Sequence, residues 1–513
     1  MKIDLKHIFP NKLWLFILIF VITFISRIIF SEKYFFDGDT VGVALGSISY
    51  SLQNTRPHLP GYYLHVKLIT IINLIIKDVH LTMVLLSAFY SSFGAVLSFI
   101  LLEKWFKKNT ALYITTLIIF NPLVWFQGTS TEIYSFDLVL SASLVLLGMN
   151  KNTIYLTPIL LALGSGVRQT SGLLLFPLYI LLWWQKISSK EISWKRFTAF
   201  HLAGIFFLLV WFLPMINSAG GLNGYISLYK TNSPLPNINL MQNIFQFSSY
   251  CFFVLTPLLI ILLSLLFKRA NVLSSMLTDK NLILLFAVWL VPSLLTFILF
   301  TYNKGYFLIS VIPLYAFVGI FFERGMLNKT IIYLIIAIEI LFFVASPYRE
   351  LPVVSLLSPQ KRNNNLAEIW VDRTFSSYLM SASRIYHQDQ MIKELSNLIM
   401  KQKPNTVFLD PTIYLAARGL QIRFPEIRFF TMDFYNNDAI IDYKGLDVSA
   451  KHGMCDLLKN CLLITRRDFF ETKLKFLTNN ELVHGEFVSM KIPTLDNQLI
   501  FNLYQDLFLR TSK

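Results

Sequence analysis

Cysteine is scarce. Three residues in 513 are too few for the disulfide frameworks that hold small secreted domains together. Cys251 lies in an apolar run, and Cys455 and Cys461 pair only if their compartment is oxidising. The last quarter of the chain also lacks a glycine-rich phosphate loop, a metal-ligand spacing and an internal repeat, which sets aside nucleotide-binding, zinc and solenoid readings for it. Charged residues are sparse at 15%, against 55% hydrophobic and 15% aromatic, and the mean hydropathy is +0.56. Soluble domains do not have this balance; with repeated apolar runs of 17 to 22 residues, the chain reads as a polytopic α-helical membrane protein. The net charge is +15, but the basic residues punctuate apolar runs, which speaks for membrane topology and against nucleic acid as a partner.

The first run, Leu13 to Phe30, is long for a signal-peptide core and has no small-residue cleavage site, so it is expected to stay as a first span. Lys2, Lys6 and Lys12 precede it, which puts the amino terminus in the cytoplasm and residues 35–61 outside. Tyr62 to Ile76 is short and contains His65 and Lys67; if it crossed, the cluster Glu103-Lys104-Trp105-Phe106-Lys107-Lys108 would fall outside. Read as a surface helix beside the membrane, it leaves that cluster inside and repairs every later loop. The expected spans are then 13–30, 81–102, 111–127, 138–149, 153–164, 171–184, 197–217, 249–267, 281–300, 305–322 and 330–346. This gives eleven spans, with sixteen basic residues on the cytoplasmic side against seven in the outer loops. The fourth to sixth spans are short enough for a broken or tilted helix.

Beyond residue 347 the character changes. Residues 347–384 are polar, with an Asn363-Asn364-Asn365 run; Asp389 to Met400 suits an amphipathic helix. Strand-like runs follow at Thr406–Leu409, Ile427–Thr431, Cys461–Thr465 and Leu499–Tyr504. The division expected is a transmembrane domain at 1–346, a connecting segment at 347–384 and an extracytoplasmic α/β domain at 385–513.

On this topology polar residues converge on the outer face. Asp37, Asp39, Arg56 and His58 come from the first outer loop, between the turn pairs Gly38-Asp39 and Pro60-Gly61. Glu132, Tyr134 and Asp137 come from the second, Arg168 and Gln169 from the third, and Lys304 and Tyr306 from the fifth. Carboxylates accept a proton from a hydroxyl or bind a metal. Asp37, Asp39, His58 and Glu132 also have the donor set for one divalent ion. Cations such as Arg168 and Lys304 suit a lipid phosphate. Each has a plain structural role too: Arg168 as a snorkelling side chain or a partner for Glu132, Lys304 as an anchor between tyrosines, Asp137 as a helix cap, His58 as the orienter of a turn. For Asp39 no local need for an acid is apparent.

These residues resemble a known pattern. Gly38-Asp39, followed after about twenty residues by His58-Leu59-Pro60-Gly61-Tyr62, is similar to the GD…HPPGYPLY signature of GT-C membrane glycosyltransferases, nearest to the branch related to protein O-mannosyltransferases. Glu132-Ile133-Tyr134-Ser135-Phe136-Asp137 resembles that branch's second-loop motif EVYSLN, and Gly164–Thr170 with Gly172-Leu173-Leu174-Leu175 resembles its next turn. The stretch from Thr301 to Tyr315 is similar to a late family span. The resemblance implies a sugar donor linked to polyprenyl phosphate, surface helices between the first two spans, Asp39 as general base, and Glu132 or Asp137 as the second-loop acid. The chain departs from the pattern at Leu59, where the family has proline. The expected acceptor is a protein, glycan or lipid hydroxyl at the membrane. A Lys/Asn/Ile-rich composition favours a bacterial plasma membrane. The rival reading is a transporter or flippase for a lipid-linked sugar, which would use the same cations, with carboxylates coupling protons; a non-catalytic assembly subunit is a third.

Overall fold

A computed structural model describes residues 5–35, 38–232, 280–300, 304–325, 327–346, 380–409, 413–432, 439–442, 446–449, 461–467, 481–484 and 487–492. The chain forms two compact units. One contains Met1–Glu32, Gly46–Pro347 and Tyr378–Ile385; the other contains Lys33–Leu45, Tyr348–Ser377 and Tyr386–Lys513.

The first unit is helical. In chain order its helices are α1 (Leu5–Ile29), the end of α2 (Gly38–Ile48), α3 (Tyr63–Ile76), α4 (Val79–Leu102), α5 (Lys108–Phe120), α6 (Pro122–Thr129), α7 (Phe136–Gly148), α8 (Thr157–Val167), α9 (Gln169–Ser188), α10 (Trp194–Asn217), α11 (Gly221–Asn232), α12 (Lys280–Phe300), α13 (Leu308–Glu323) and α14 (Lys329–Ala345). Every expected span falls on one or two of these helices except 249–267, which lies outside the described residues. Among the described residues four helices are long and apolar enough to cross a membrane, or five if the bent pair α5–α6 is one span. Tyr63–Ile76 is a separate short apolar helix. Lipid does not drive helices together, so small residues that let backbones approach carry the packing. An added Cβ on Gly94 of α4 would come within 2.7 Å of Leu138 on α7, and one on Gly164 of α8 within 2.4 Å of Leu140. These two glycines bring α4 and α8 onto α7, eight of whose thirteen residues are buried.

The break between α5 and α6 has a local cause. Pro122 opens α6 without an N–H to offer, and the Asn121 side chain caps the new helix by accepting from Leu123 N at 3.0 Å and Val124 N at 3.2 Å. The result is a bend of 57°.

The second unit holds a seven-stranded sheet, formed by β1 (Thr406–Leu409), β2 (Arg428–Met432), β3 (Ala439–Asp442), β4 (Leu446–Ser449), β5 (Cys461–Arg466), β6 (Glu481–His484) and β7 (Phe487–Ile492), in the order β4-β3-β2-β1-β5-β7-β6. β1 runs parallel to both β2 and β5, and the other pairings are antiparallel. Covered on both faces, β1 is buried at all four positions, which explains its unbroken Val-Phe-Leu run. Helix α16 (Tyr414–Arg423) connects β1 to β2. Helix α15 (Ala382–Gln402) sends Met391, Leu395, Leu398 and Ile399 into a core with Val407, Phe429 and Ile464. The strand expected at 499–504 and the residue Cys455 lie outside the described residues.

Candidate functional site

Helix α8 ends at Val167, and Arg168 leaves it in extended conformation (φ −146°, ψ 104°) before α9 begins at Gln169. This one-residue interruption turns the Arg168 side chain into the bundle, where 1% of it is exposed. Asp137, in the first turn of α7, is wholly buried against it. Arg168 Nη1 donates to Asp137 Oδ2 and to Ser171 Oγ at 3.0 Å, and the Ser171 hydroxyl donates to the other Asp137 oxygen. Of the two acids expected in the second loop, Asp137 is therefore the one ion-paired with Arg168. The arginine–Glu132 pairing entertained from sequence is corrected accordingly: Glu132 is also buried, its backbone carbonyl accepting from Ser87 Oγ at 2.6 Å.

Two tyrosines flank the guanidinium. Its carbon lies 4.3 Å from the Tyr134 ring centroid and 4.6 Å from that of Tyr306, with the rings 5.8 Å apart and inclined at 64°. Both contacts are within cation–π range. Tyr306 arrives on a single 3-10 turn, Lys304–Phe307. That turn presses so closely on Tyr134 that a Cβ added to Gly305 would sit 2.0 Å from the ring. Burial, reinforced by the neighbouring Tyr306, holds the Tyr134 phenol well above its ordinary pKa, so it stays a neutral hydroxyl and π face. Lys304 opens the turn, but its side chain lies outside what the structure describes.

Arg168 Nε and Nη2 are enclosed and have no hydrogen-bond partner. Buried donors are almost always satisfied. A guanidinium fixed along one edge by a carboxylate, with N–H groups uncommitted on the other, is suited to an oxyanion. Gln169 stands beside it, donating to Met215 Sδ at 3.3 Å, while its own buried Oε1 has no partner. Sequence reasoning missed Ser171 and Tyr62. The Tyr62 phenol interacts electrostatically with both Arg168 and Tyr134; its place at the end of the His58–Tyr62 motif was the available signal.

The turn before Tyr62 is held from outside itself. Tyr50 OH donates to Gly61 O at 2.8 Å, Tyr225 OH donates to Pro60 O at 3.3 Å, and the His58 and Tyr62 rings are 5.1 Å apart. Gly61 takes φ +118°, and an added Cβ there would lie 2.9 Å from the Tyr50 hydroxyl, so glycine is required on both counts. Leu59 in place of proline thus leaves a turn fixed by two tyrosines. Asp39 is an exposed residue in the first turn of α2 and belongs to the second compact unit, and Asp37 lies outside the described residues. Among the described residues, no three His, Cys, Asp or Glu side chains are grouped to hold a metal ion, the set Asp39, His58 and Glu132 included.

No protein-family model and no curated protein sequence matches the chain. Among solved structures it is similar to ArnT from Cupriavidus metallidurans bound to undecaprenyl phosphate, with 12% identity over 94% of this chain and 98% of that one at a TM-score of 0.52. The apo state of the same protein matches with the same identity and coverage at a TM-score of 0.55. At that identity the likeness is one of fold, and it extends over nearly the whole of both chains. The chain shares the fold of ArnT, and its long apolar helices are those of an integral membrane protein.

Proposed function

We propose that this protein is an inverting glycosyltransferase, moving a sugar from a polyprenyl-phosphate carrier to an acceptor hydroxyl on the extracytoplasmic face of the membrane. ArnT, whose fold it shares, is a GT-C glycosyltransferase and was crystallised with undecaprenyl phosphate. The observation that carries the reading is Arg168, a buried cation locked to Asp137 along one edge with unsatisfied donors at Nε and Nη2. In the proposed step the Asp39 carboxylate takes the proton of the acceptor hydroxyl as its oxygen attacks the anomeric carbon. The bond from that carbon to the phosphate oxygen breaks, and polyprenyl phosphate leaves with the electron pair. Arg168 and Lys304 stabilise the charge on the departing phosphate. His58, Glu132, Gln169, Tyr134 and Tyr306 position the reactants.

The finer assignments rest on the charge pattern and the loop motifs. They are eleven spans, a cytoplasmic amino terminus, an extracytoplasmic domain at 385–513, a bacterial plasma membrane, and kinship with the protein O-mannosyltransferase-related branch. The test uses purified protein with radiolabelled polyprenyl-phosphate sugars, both hexoses and pentoses, following release of sugar from the carrier. Asp39→Asn keeps the shape and removes the base; release is expected to fall by roughly 100- to 10,000-fold. Near-normal release in that variant overturns the base assignment. Carrier that crosses liposome bilayers with its sugar still attached makes the protein a transporter instead.

A further inference from the structure

The α/β region is held to the segment that carries Asp39 by a specific contact. Lys33–Leu45 and Tyr386–Lys513 belong to the same compact unit although some 340 residues separate them in sequence. Asp389, on α15, is 8% exposed. Its carboxylate accepts the backbone N–H of Lys33 at 2.9 Å through each oxygen and that of Tyr34 at 3.0 Å. Two successive amides aimed at one carboxylate make a charge-assisted cradle, stronger and more directional than neutral hydrogen bonds. Beside it the Arg423 guanidinium lies 5.2 Å from the Tyr34 ring centroid. Tyr34 and Phe424 pack together onto the sheet's apolar core, and Phe35 is itself buried.

This is an unusual use for a buried acid. Asp389 is separated from its backbone partners by about 355 positions and is seven residues inside its own helix. Its contacts fall on residues that lie five and six positions before Asp39. We infer that Asp389 is a positioning residue: it anchors the Lys33–Tyr34 backbone to the α/β domain and so sets where Asp39 stands. The inference rests on the reading of Asp39 as the base, and it gives the α/β domain a part in the chemistry. Geometry of this kind matters because misplacing a reacting group by about 1 Å can cost on the order of 100-fold in rate.

The experiment uses the full-length protein in lipid nanodiscs, with Asp389→Ala, Asp389→Asn and Asp39→Asn made in parallel. Two readouts are taken: amide hydrogen exchange across residues 31–45, and kcat and KM for sugar release from the polyprenyl-phosphate donor. Asp389→Ala is expected to speed exchange at Lys33 and Tyr34 and to lower kcat about 10-fold or more, with donor KM held within about twofold. Asp389→Asn keeps the shape and one acceptor oxygen and is expected to fall between it and the native protein; where the alanine variant fails to fold, the asparagine variant decides. Faster exchange with unchanged kcat overturns the inference, and so does unchanged exchange. If Asp39→Asn stays active while Asp389→Ala is slow and exchanges faster, the base assignment has failed and the anchor stands, positioning another group. If Asp39→Asn is dead and Asp389→Ala fully active, the base stands and the anchor has failed.

Discussion

Removing the charge of Asp137 leaves the Arg168 cation enclosed with nothing but a serine hydroxyl and two aromatic faces. Both side chains are at most 1% exposed, so solvent screening offers little relief, and breaking a buried pair from one side costs about 3–5 kcal/mol. The Tyr134 and Tyr306 rings remain, each worth about 0.5–2 kcal/mol to a desolvated cation, and they soften the loss toward the lower limit. Asp137→Asn, which preserves volume, is therefore expected to destabilise the protein by about 3 kcal/mol. Arg168→Met strands the carboxylate with Ser171 and is expected to cost a similar amount. The double variant buries no charge, so its cost should be near that of either single change, a coupling of about 3 kcal/mol. Unfolding by SDS titration in mixed micelles, followed by tryptophan fluorescence, supplies the three differences. Additive single effects, with a coupling under about 0.5 kcal/mol, would refute the claim that the two residues are one buried ion pair.

Other consequences follow from the same pocket. Gly305→Ala places a methyl group 2.0 Å from the Tyr134 ring; the ring must shift away from Arg168, at an expected cost of about 1–3 kcal/mol, and an unchanged thermal midpoint would count against the close approach. Tyr306→Phe keeps the π face over Arg168 and is expected to stay within about 0.5 kcal/mol of the native protein, whereas Tyr306→Leu should lose about 1–2 kcal/mol. Equal stability of the two variants in the same titration would show that the ring holds no cation.

Much of the helical architecture was legible from composition, because a membrane span is selected segment by segment for apolar content and its backbone bonds close within the segment. Val79–Leu102 and Trp194–Asn217 announce themselves by hydropathy alone, whereas the break at Asn121-Pro122 falls inside the expected span 111–127, which reads as one helix. Thr406–Leu409 and Cys461–Arg466 could be read as strands because, at the centre of the sheet, they carry continuous apolar runs. Residues 439–449 and 481–492 gave no comparable signal: β3, β4 and β6 are short, mixed in polarity and stabilised by pairing with a neighbour. The site divides in the same way. Arg168, Asp137, Tyr134 and Tyr306 could each be singled out as polar or aromatic residues at loop edges. That Asp137 rather than Glu132 meets Arg168 across 31 positions, and that Asp389 reaches back to Lys33 and Tyr34, depends on how helices and loops far apart in the chain pack. Hydropathy and turn chemistry are properties of neighbouring residues, so the sequence alone determined the elements and the candidate groups. The partner of a buried charge is chosen by tertiary packing, where desolvation makes an unpaired ion too costly to keep.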